Sequence, residues 1–394
     1  MSLTDNSSYS RPTWLLVAPW SLDSAGGVNQ VVLNLYDQLK QKGNYRPLVM
    51  VVNWTAAAPQ SKVEVGRDAL HLRLRQPPTG PLEALAWLWR APKEIAHLLK
   101  LLARENVVVA NIHYPGLSAF SFALLKALRL YKGHLLLSFH GQDVTDASRL
   151  TGLSRYYYRV ITSRADAIST CSAALAEAVQ ATFPANARKT VVIHNGISPD
   201  ESDKDGDLLP EIRALDGKYF VNVATYEPKK GQDLLLRAFA TIAADYPDYR
   251  LVMAGRDAGC KGNLQKLAES LGIASQVLLY GPLPHDVVLA LYREARALIM
   301  PSRSEPFGIV ILEAGLRNTP VVATRVGGIP EILVSNEFGT LVDPEDPAAL
   351  TKAMHEVLEN PDEFKRKARN LKERILTHFS WEASSARLES LAGK

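Results

Sequence analysis

Short apolar, β-rich runs alternate with longer amphipathic stretches along almost the whole chain, and the alternation runs twice. The first pass begins with "TWLLVAPW" (13–20), continues through the helical pattern "GGVNQVVLNLYDQLKQKG" (26–43) and returns to "YRPLVMVVNW" (45–54). Further runs at 107–114, 134–141, 167–170 and 190–196 are again separated by helical patterns. Parallel strands need a crossover of a dozen or more residues, normally a helix, so this pattern dictates a parallel sheet covered by helices. A polar segment rich in Asp, Gly and Pro, "ISPDESDKDGDLLPE" (197–211), then interrupts it and reads as a linker. The alternation restarts with runs at 219–225, 249–255, 276–281, 297–302 and 320–324. A chain of 394 residues exceeds one ordinary core. The expectation is α/β with two doubly wound domains, residues 1–197 and 198–379. A final helix at about 380–394, following a bend, crosses back to the first domain. Ligands of such sheets bind at the carboxyl ends of the strands, here with an interdomain cleft expected between the two domains.

Composition narrows the function classes. A net charge of +4 favours phosphates or headgroups as partners and falls short of a nucleic-acid footprint. The two cysteines, Cys171 and Cys260, are far apart and without metal-ligand spacing, which fits a reducing cytoplasm. The run Thr13–Trp20 has no basic residues suited to a signal peptide before it and reads as a first strand. No run approaches the ~20 apolar residues of a membrane helix. A soluble protein is expected, cytoplasmic or peripheral at the inner face of the membrane. For peripheral contact the candidate is 81–106, where Trp87, Trp89 and leucines accompany Arg90, Lys93, Lys100 and Arg104. Packing of one helical face into the core explains that segment as well and is the favoured reading. "DKDGD" (203–207) lacks the later glutamate of a calcium loop, since position twelve is Ala214, and reads as solvated linker.

The stretch "SRSEPFGIVILEAG" (302–315) carries the chemistry. It follows the strand run "ALIMPS", so Glu305–Gly308 lies at a strand-to-helix junction, with Pro306 suited to a first helical turn. Free N–H groups near Phe307 and Gly308 would face a phosphate. Glu313 sits among apolar neighbours, where an unpaired carboxylate is costly, so hydrogen-bond partners are required. A helical rise of roughly 12 Å between Glu305 and Glu313 suits two ends of one extended ligand and excludes a proton-sharing dyad. A nucleotide sugar has that shape, with its diphosphate over the helix start and ribose hydroxyls on Glu313. A capping glutamate with a satisfied core glutamate is the alternative.

This stretch, followed by "PVVATRVGGIPEI" (320–332), resembles the C-terminal signature of the retaining family-four glycosyltransferases, glutamate–seven residues–glutamate. The resemblance extends in order to "AGGVNQVVLNL" (25–35), "FHGQD" (139–143), "IHNGI" (193–197), "PKKGQDLLLRAF" (228–239) and "YGPLPHDVVLALY" (280–292). It implies a GT-B fold, two Rossmann-like domains handling a nucleotide-sugar donor, without an obligatory metal or cofactor. It further implies transfer to a hydroxyl of a glycan, lipid-linked or small-molecule acceptor, with a UDP-sugar favoured as donor.

Carried over by position, Glu313 matches the ribose-binding glutamate and Glu305 the one at the donor sugar. Beside them Phe307, Gly308 and Ile309 offer backbone contacts to sugar and phosphate, with Pro306, Val310 and Leu283 also at the donor. Lys230 matches the lysine that neutralises the diphosphate, although taken alone it reads as a solvated helix-start lysine. His140 matches the active-site histidine against the sugar, and His113 is held in reserve. Gly26 and Gly27 permit close approach of the backbone to a ligand, or make a plain tight turn. Asn195–Gly196 resembles the hinge, though Ser198 stands where an acidic residue is common. Thr225 replaces the usual arginine five residues before Lys230, and Arg256, or else Lys229, is expected to supply the missing charge. The competing classes are a GT-B-fold epimerase or phosphorylase and a non-catalytic nucleotide-sugar-binding partner subunit. A dehydrogenase is disfavoured because "SLDSAGGVNQ" lacks Gly-x-Gly-x-x-Gly spacing.

Overall fold

The computed structural model describes residues 11–23, 26–53, 55, 59–198 and 206–392. The chain divides into two compact units, 1–194 with 381–394, and 195–380. Residues 199–205 of the linker run, with most of "DKDGD", lie outside the described residues.

Unit 1 is an eight-stranded sheet of β1 (Thr13–Ala18), β2 (Arg46–Val52), β3 (Gln60–Glu64), β4 (Arg67–Leu72), β5 (Val107–His113), β6 (His134–Phe139), β7 (Ala167–Thr170) and β8 (Thr190–Val192). Their order is β3-β4-β2-β1-β5-β6-β7-β8. All neighbours are parallel except β3, which pairs antiparallel with β4 at one edge. β1 is buried along its whole length, as a strand covered on both faces must be. The β3–β4 hairpin escapes the sequence reading. Its two-residue turn, Val65 at φ 48° and Gly66 at φ 71°, places both central residues in the left-handed region of a type I′ turn.

Unit 2 is an all-parallel six-stranded sheet of β9 (Tyr219–Val223), β10 (Arg250–Ala254), β11 (Val277–Tyr280), β12 (Ala297–Met300), β13 (Val321–Thr324) and β14 (Thr340–Val342). Its order is β11-β10-β9-β12-β13-β14. Phe220, Met253, Ile299 and Val322 from the strands meet Leu235, Leu236, Phe239 and Met354 from covering helices in one core. The strand order reverses beside β9, so β9 and β12 flank the position where doubly wound sheets bind ligands. The helix Pro361–His378 packs on the helix Ile309–Leu316 at Gly315, where an added Cβ would lie 2.3 Å from Ile375 Cδ1.

The terminal helix Trp381–Ser390 belongs to unit 1. Lys42 Nζ pairs with Glu389 at 3.0 Å and donates to Ser385 Oγ at 2.7 Å, while Ser384 Oγ donates to the His194 carbonyl at 2.7 Å.

In the first half of the helix Pro81–Arg104 one face packs, with Trp87 edge to face with Phe120 at 6.4 Å and Ala91 buried, but the leucines there do not join it. Leu98, Leu101 and Leu102 are buried, but Leu82 and Trp89 are 83% and 80% exposed, with Leu85 and Leu88 exposed beside them. Among the described residues no helix is long and apolar enough to cross a membrane.

Candidate active site

Three neighbouring strands of unit 2 deliver the predicted donor residues to one edge. β9 runs into Thr225 and the 3-10 turn Pro228–Lys230, β10 into Arg256, and β12 into Glu305. Lys230 Nζ donates to Glu305 Oε2 at 2.7 Å, and the two side chains are only 17% and 11% exposed. Burial lowers the ammonium pKa, but the charge and hydrogen bond of Glu305, with the charge of Glu227, turn the net shift upward. A largely buried cation is thus held charged chiefly by Glu305, with Glu227 adding to it. Any anion that takes over Lys230 releases Glu305 for another partner.

Two braces fix this pair; the sequence reading did not name Arg303, and it quoted the second brace only as part of the family signature. Arg303 spans the loops: its N–H donates to the Lys229 carbonyl at 2.8 Å, and its guanidinium forks onto Asp233 at 2.7 and 2.9 Å. The same guanidinium donates to the Pro228 carbonyl at 2.7 Å and pairs with Glu345. Beneath Glu305 lies the "RVGGIPEI" turn. Gly328 N–H donates to the Glu305 carbonyl at 3.1 Å, and a Cβ on Gly327 (φ 51°) would stand 1.8 Å from that oxygen. Only glycine lets the two backbones approach so closely.

The helix itself begins at Ile309, with Gly308 as its cap at φ 107°. Pro306 therefore lies before the helix and not in its first turn, so the Glu305–Glu313 separation is no simple helical rise. The bend at Gly308 requires a backbone conformation that a side chain would strain. The Phe307 side chain is buried, with its ring 5.8 Å from that of Phe379. Its backbone and those of Ile309 and Val310 remain at the helix start.

Glu313 is buried, and the chain supplies its partners. His285 Nε2 lies 3.0 Å from Oε1, and Tyr292 donates its hydroxyl to Oε2 at 3.4 Å. Burial and the charge of Glu313 raise the Tyr292 pKa well above its ordinary value, so that phenol stays a donor. Burial alone thus demands no ligand at Glu313. Leu283 lies in the loop just before His285, half-buried. Glu313→Gln preserves an acceptor for His285 and Tyr292 but removes the charge. If ribose hydroxyls bind there, nucleotide affinity should fall at least ~10-fold with little change in melting temperature. Titration calorimetry with UDP reads both affinities, and equal values would remove Glu313 from the donor site.

Around the missing arginine, Thr225 is half-buried, and its carbonyl accepts from Gln232 Nε2 at 3.2 Å. Lys229 is engaged by Glu227 at 3.3 Å. Arg256 is exposed, and its guanidinium makes no ion pair with a described residue.

In unit 1, β5 and β6 end side by side at His113 and His140. His113 Nδ1 and His140 Nε2 are 3.2 Å apart. Burial, with His140 beside it, pushes His113 well below the usual imidazole range, and burial brings His140 to about 4. Both rings are neutral at pH 7, so one proton lies between them. His113 Nε2 is buried without a partner. An orphaned acceptor costs less than an orphaned donor, which places the shared proton on His113 Nδ1 and leaves His140 carrying its own on Nδ1. The turn after β6 is clamped by Asp143, whose carboxylate accepts from His140 N–H at 2.9 Å and Gly141 N–H at 2.7 Å. Burial pushes that carboxyl up to about 7 against the pull of these N–H groups.

The first loop is braced by a buried carboxylate absent from the sequence reading. Glu64 accepts from Leu22 N–H at 2.6 Å and pairs with His71 at 2.9 Å. Gly26 is extended, and no atom of the chain lies within 4 Å of a side chain added there. Gly27 opens the helix Gly27–Lys42. Internal packing does not demand glycine at position 26.

Residues 25–201 match the model of Glycosyltransferase Family 4, and residues 210–375 match that of Glycosyl transferases group 1. The chain belongs to the family-four glycosyltransferases. This glycosyltransferase is 27% identical to a D-inositol 3-phosphate glycosyltransferase of Corynebacterium glutamicum, over 95% of this chain and 93% of that protein. A shorter match, 38% identical, covers 37% of the chain and 34% of the protein of that name from Acidothermus cellulolyticus. Among solved structures, sucrose-phosphate synthase from Thermosynechococcus elongatus superposes with a TM-score of 0.76 at 22% identity, covering 97% of this chain and 98% of that one. HepE from Anabaena, crystallised with UDP-glucose, gives 0.71 at 20% identity, covering 97% and 100%. At such identities the likeness shows the fold: the glycosyltransferase has two Rossmann-like α/β domains, as its GT-B neighbours do.

Proposed function

We propose that this glycosyltransferase moves a sugar from a UDP-sugar to an acceptor hydroxyl with retention of anomeric configuration. The observation that carries the reading is the buried Lys230–Glu305 pair at the carboxyl edge of β9 and β12. Within the chain the two side chains neutralise each other. With donor bound, Lys230 turns to the diphosphate and Glu305 to the hydroxyls of the sugar. Arg256, free at the neighbouring strand end, supplies the charge that Thr225 lacks. Glu313, with His285 beside it, takes the ribose. The UDP and UDP-glucose bound by HepE support this choice of donor.

As the bond between the anomeric carbon and the phosphate oxygen breaks, negative charge gathers on the leaving diphosphate, where Lys230 is strongest. The acceptor oxygen bonds to the same face of that carbon, and its proton passes to the departing phosphate oxygen. His140 orients the sugar and steadies the oxocarbenium-like transition state. Its Nε2 is already engaged by His113, so it is not cast as a base. In this reading charge neutralisation is the work of side chains, and activity persists in chelator.

Screening nucleotide sugars for thermal stabilisation and for slow donor hydrolysis tests the proposal. A UDP-sugar that does both supports it. Sugar phosphate formed from a glucan, or free epimerised sugar, would replace it with a phosphorylase or an epimerase.

The exposed Leu82, Leu85, Leu88 and Trp89, followed along the same helix by Lys93, Lys100 and Arg104, support peripheral contact with an anionic bilayer. Vesicles containing phosphatidylglycerol should co-sediment the protein, and Leu85→Asp/Trp89→Asp should abolish this. Equal sedimentation of that variant would exclude this helix.

A further inference from the structure

The carboxyl edge of the unit 1 sheet carries a second cluster, separate from the histidine pair. β1 ends just before Trp20, and β5, its neighbour, ends just before Tyr114. The two rings meet edge to face, centroids 5.1 Å apart. Trp20 is fixed in orientation because its indole N–H donates to Asn29 Oδ1 at 2.9 Å, yet the residue is 39% exposed. Asn29 is buried and donates in turn to the Ser21 carbonyl at 3.1 Å. Tyr114 reaches the other way, donating its hydroxyl to Asp146 Oδ2 at 3.3 Å. Gln142 Nε2 holds Oδ1 of the same carboxylate at 2.9 Å. An indole face, a phenol, a carboxylate and an amide therefore stand in one line at the ligand-facing edge.

Tyr114 adds an independent sign. Its φ is 52°, in the left-handed region that a bulky side chain avoids. The conformation is held by neighbours: Tyr114 N–H donates to the Ser138 carbonyl at 3.0 Å, and the buried Tyr158 donates its hydroxyl to the carbonyl of Pro115. Strain that the surroundings enforce on an exposed edge marks a residue placed for contact.

The charge of this edge decides the class of ligand. Segments 19–30, 114–120 and 140–148, which follow β1, β5 and β6, contain no lysine or arginine. Their charge-bearing residues are Asp23, Asp143 and Asp146, with His140 neutral through burial. Farther along the edge, after β4, Arg73 and Arg75 both lie against Glu94, at 3.8 and 2.9 Å. A phosphate placed on Trp20 and Tyr114 would face the Asp146 carboxylate, and none of the three segments offers it a cation; the nearest in sequence, Arg149, follows the last of them and is exposed. An uncharged ring suits the site instead. Its apolar C–H face leaves water on the aromatic surface, and its hydroxyls donate to Asp146.

We infer that Trp20, Tyr114 and Asp146, with Gln142, form an acceptor subsite for an uncharged sugar or polyol ring, and that it discriminates against phosphorylated rings. This deepens the transferase reading and rests on it. The test is saturation-transfer NMR on the full chain with UDP present. The probes are myo-inositol, its 3-phosphate, and the methyl glycosides of glucose, galactose, mannose and N-acetylglucosamine. At least one uncharged ring should receive saturation, and inositol 3-phosphate should bind at least tenfold more weakly than that ring. Trp20→Ala should abolish the transfer, Trp20→Phe should keep most of it, and Asp146→Asn should weaken it severalfold. Saturation of no uncharged ring, stronger binding of the phosphate, or an unchanged Trp20→Ala signal would overturn the inference. Stabilisation by UDP is read on the same sample. Its loss would indict the donor reading, whereas UDP binding without ring binding would indict this subsite alone.

Discussion

Replacing Lys230 by methionine is expected to lower donor turnover by about 10²–10³-fold, the size measured when one pre-organised donor to a developing oxyanion is lost. Methionine keeps much of the stem's length and packing, so what disappears is the charge. The structure makes the experiment more discriminating than a simple loss of function. Lys230 is the ion-pair partner of the half-buried Glu305, so Lys230→Met leaves a carboxylate short of a partner, at a cost of about 1–3 kcal/mol of stability. The double variant Lys230→Met/Glu305→Gln removes that charge and should recover most of the lost stability while turnover stays low. Urea midpoints and initial rates on the four proteins of the cycle separate the two effects. If turnover recovers together with stability, Lys230 is a structural cation and not a partner of the diphosphate.

His140→Ala carries the second large effect, on turnover more than on donor affinity, by about 10²-fold in kcat. The binding charges reside in unit 2, so nucleotide affinity should change little. Acid stability offers a second readout. Unfolded histidines take up protons near pH 6.5, while burial holds His140 at about 4 and His113 well below the usual imidazole range. Below about pH 6.5 these two histidines therefore bind more protons in the unfolded chain than in the folded one, an effect offset in part by Asp143, whose carboxyl burial holds up to about 7. The histidines' contribution to stability falls as pH drops from there through about 4. Removing His140 removes its share of that slope. A variant with full turnover, or with kcat intact and only donor affinity lost, would take His140 out of the chemistry.

The parts of this molecule legible in the sequence are those that depend on neighbours along the chain. Strands buried on both faces announce themselves as apolar runs, and β1, β7 and β13 fall where such runs occur. β3 is exposed along most of its length and turns on Val65–Gly66, and β14 has only three residues. Neither has a periodic pattern strong enough to read. The donor edge follows the same division. Thr225, Lys230, Arg256 and Glu305 each lie in the loop that follows a strand's carboxyl end, so local spacing brought them to one edge. The groups that hold them come from far away in sequence. Arg303 reaches Asp233 across 70 residues and Glu313 meets His285 across 28, and no local pattern encodes either pairing. Pro306 misled for the opposite reason: its suitability for a first helical turn was overridden by the left-handed bend at Gly308.

Stereochemistry tests the central claim most directly, because retention follows only if acceptor and leaving diphosphate share one face of the sugar. The measurement is proton NMR of the glycoside formed from UDP-α-glucose and the acceptor that sustains turnover, read at the anomeric proton with EDTA present. The account predicts the small H1–H2 coupling of an α-glycoside from the earliest spectra. A β-glycoside, or a product that appears only when a divalent ion is restored, would contradict it.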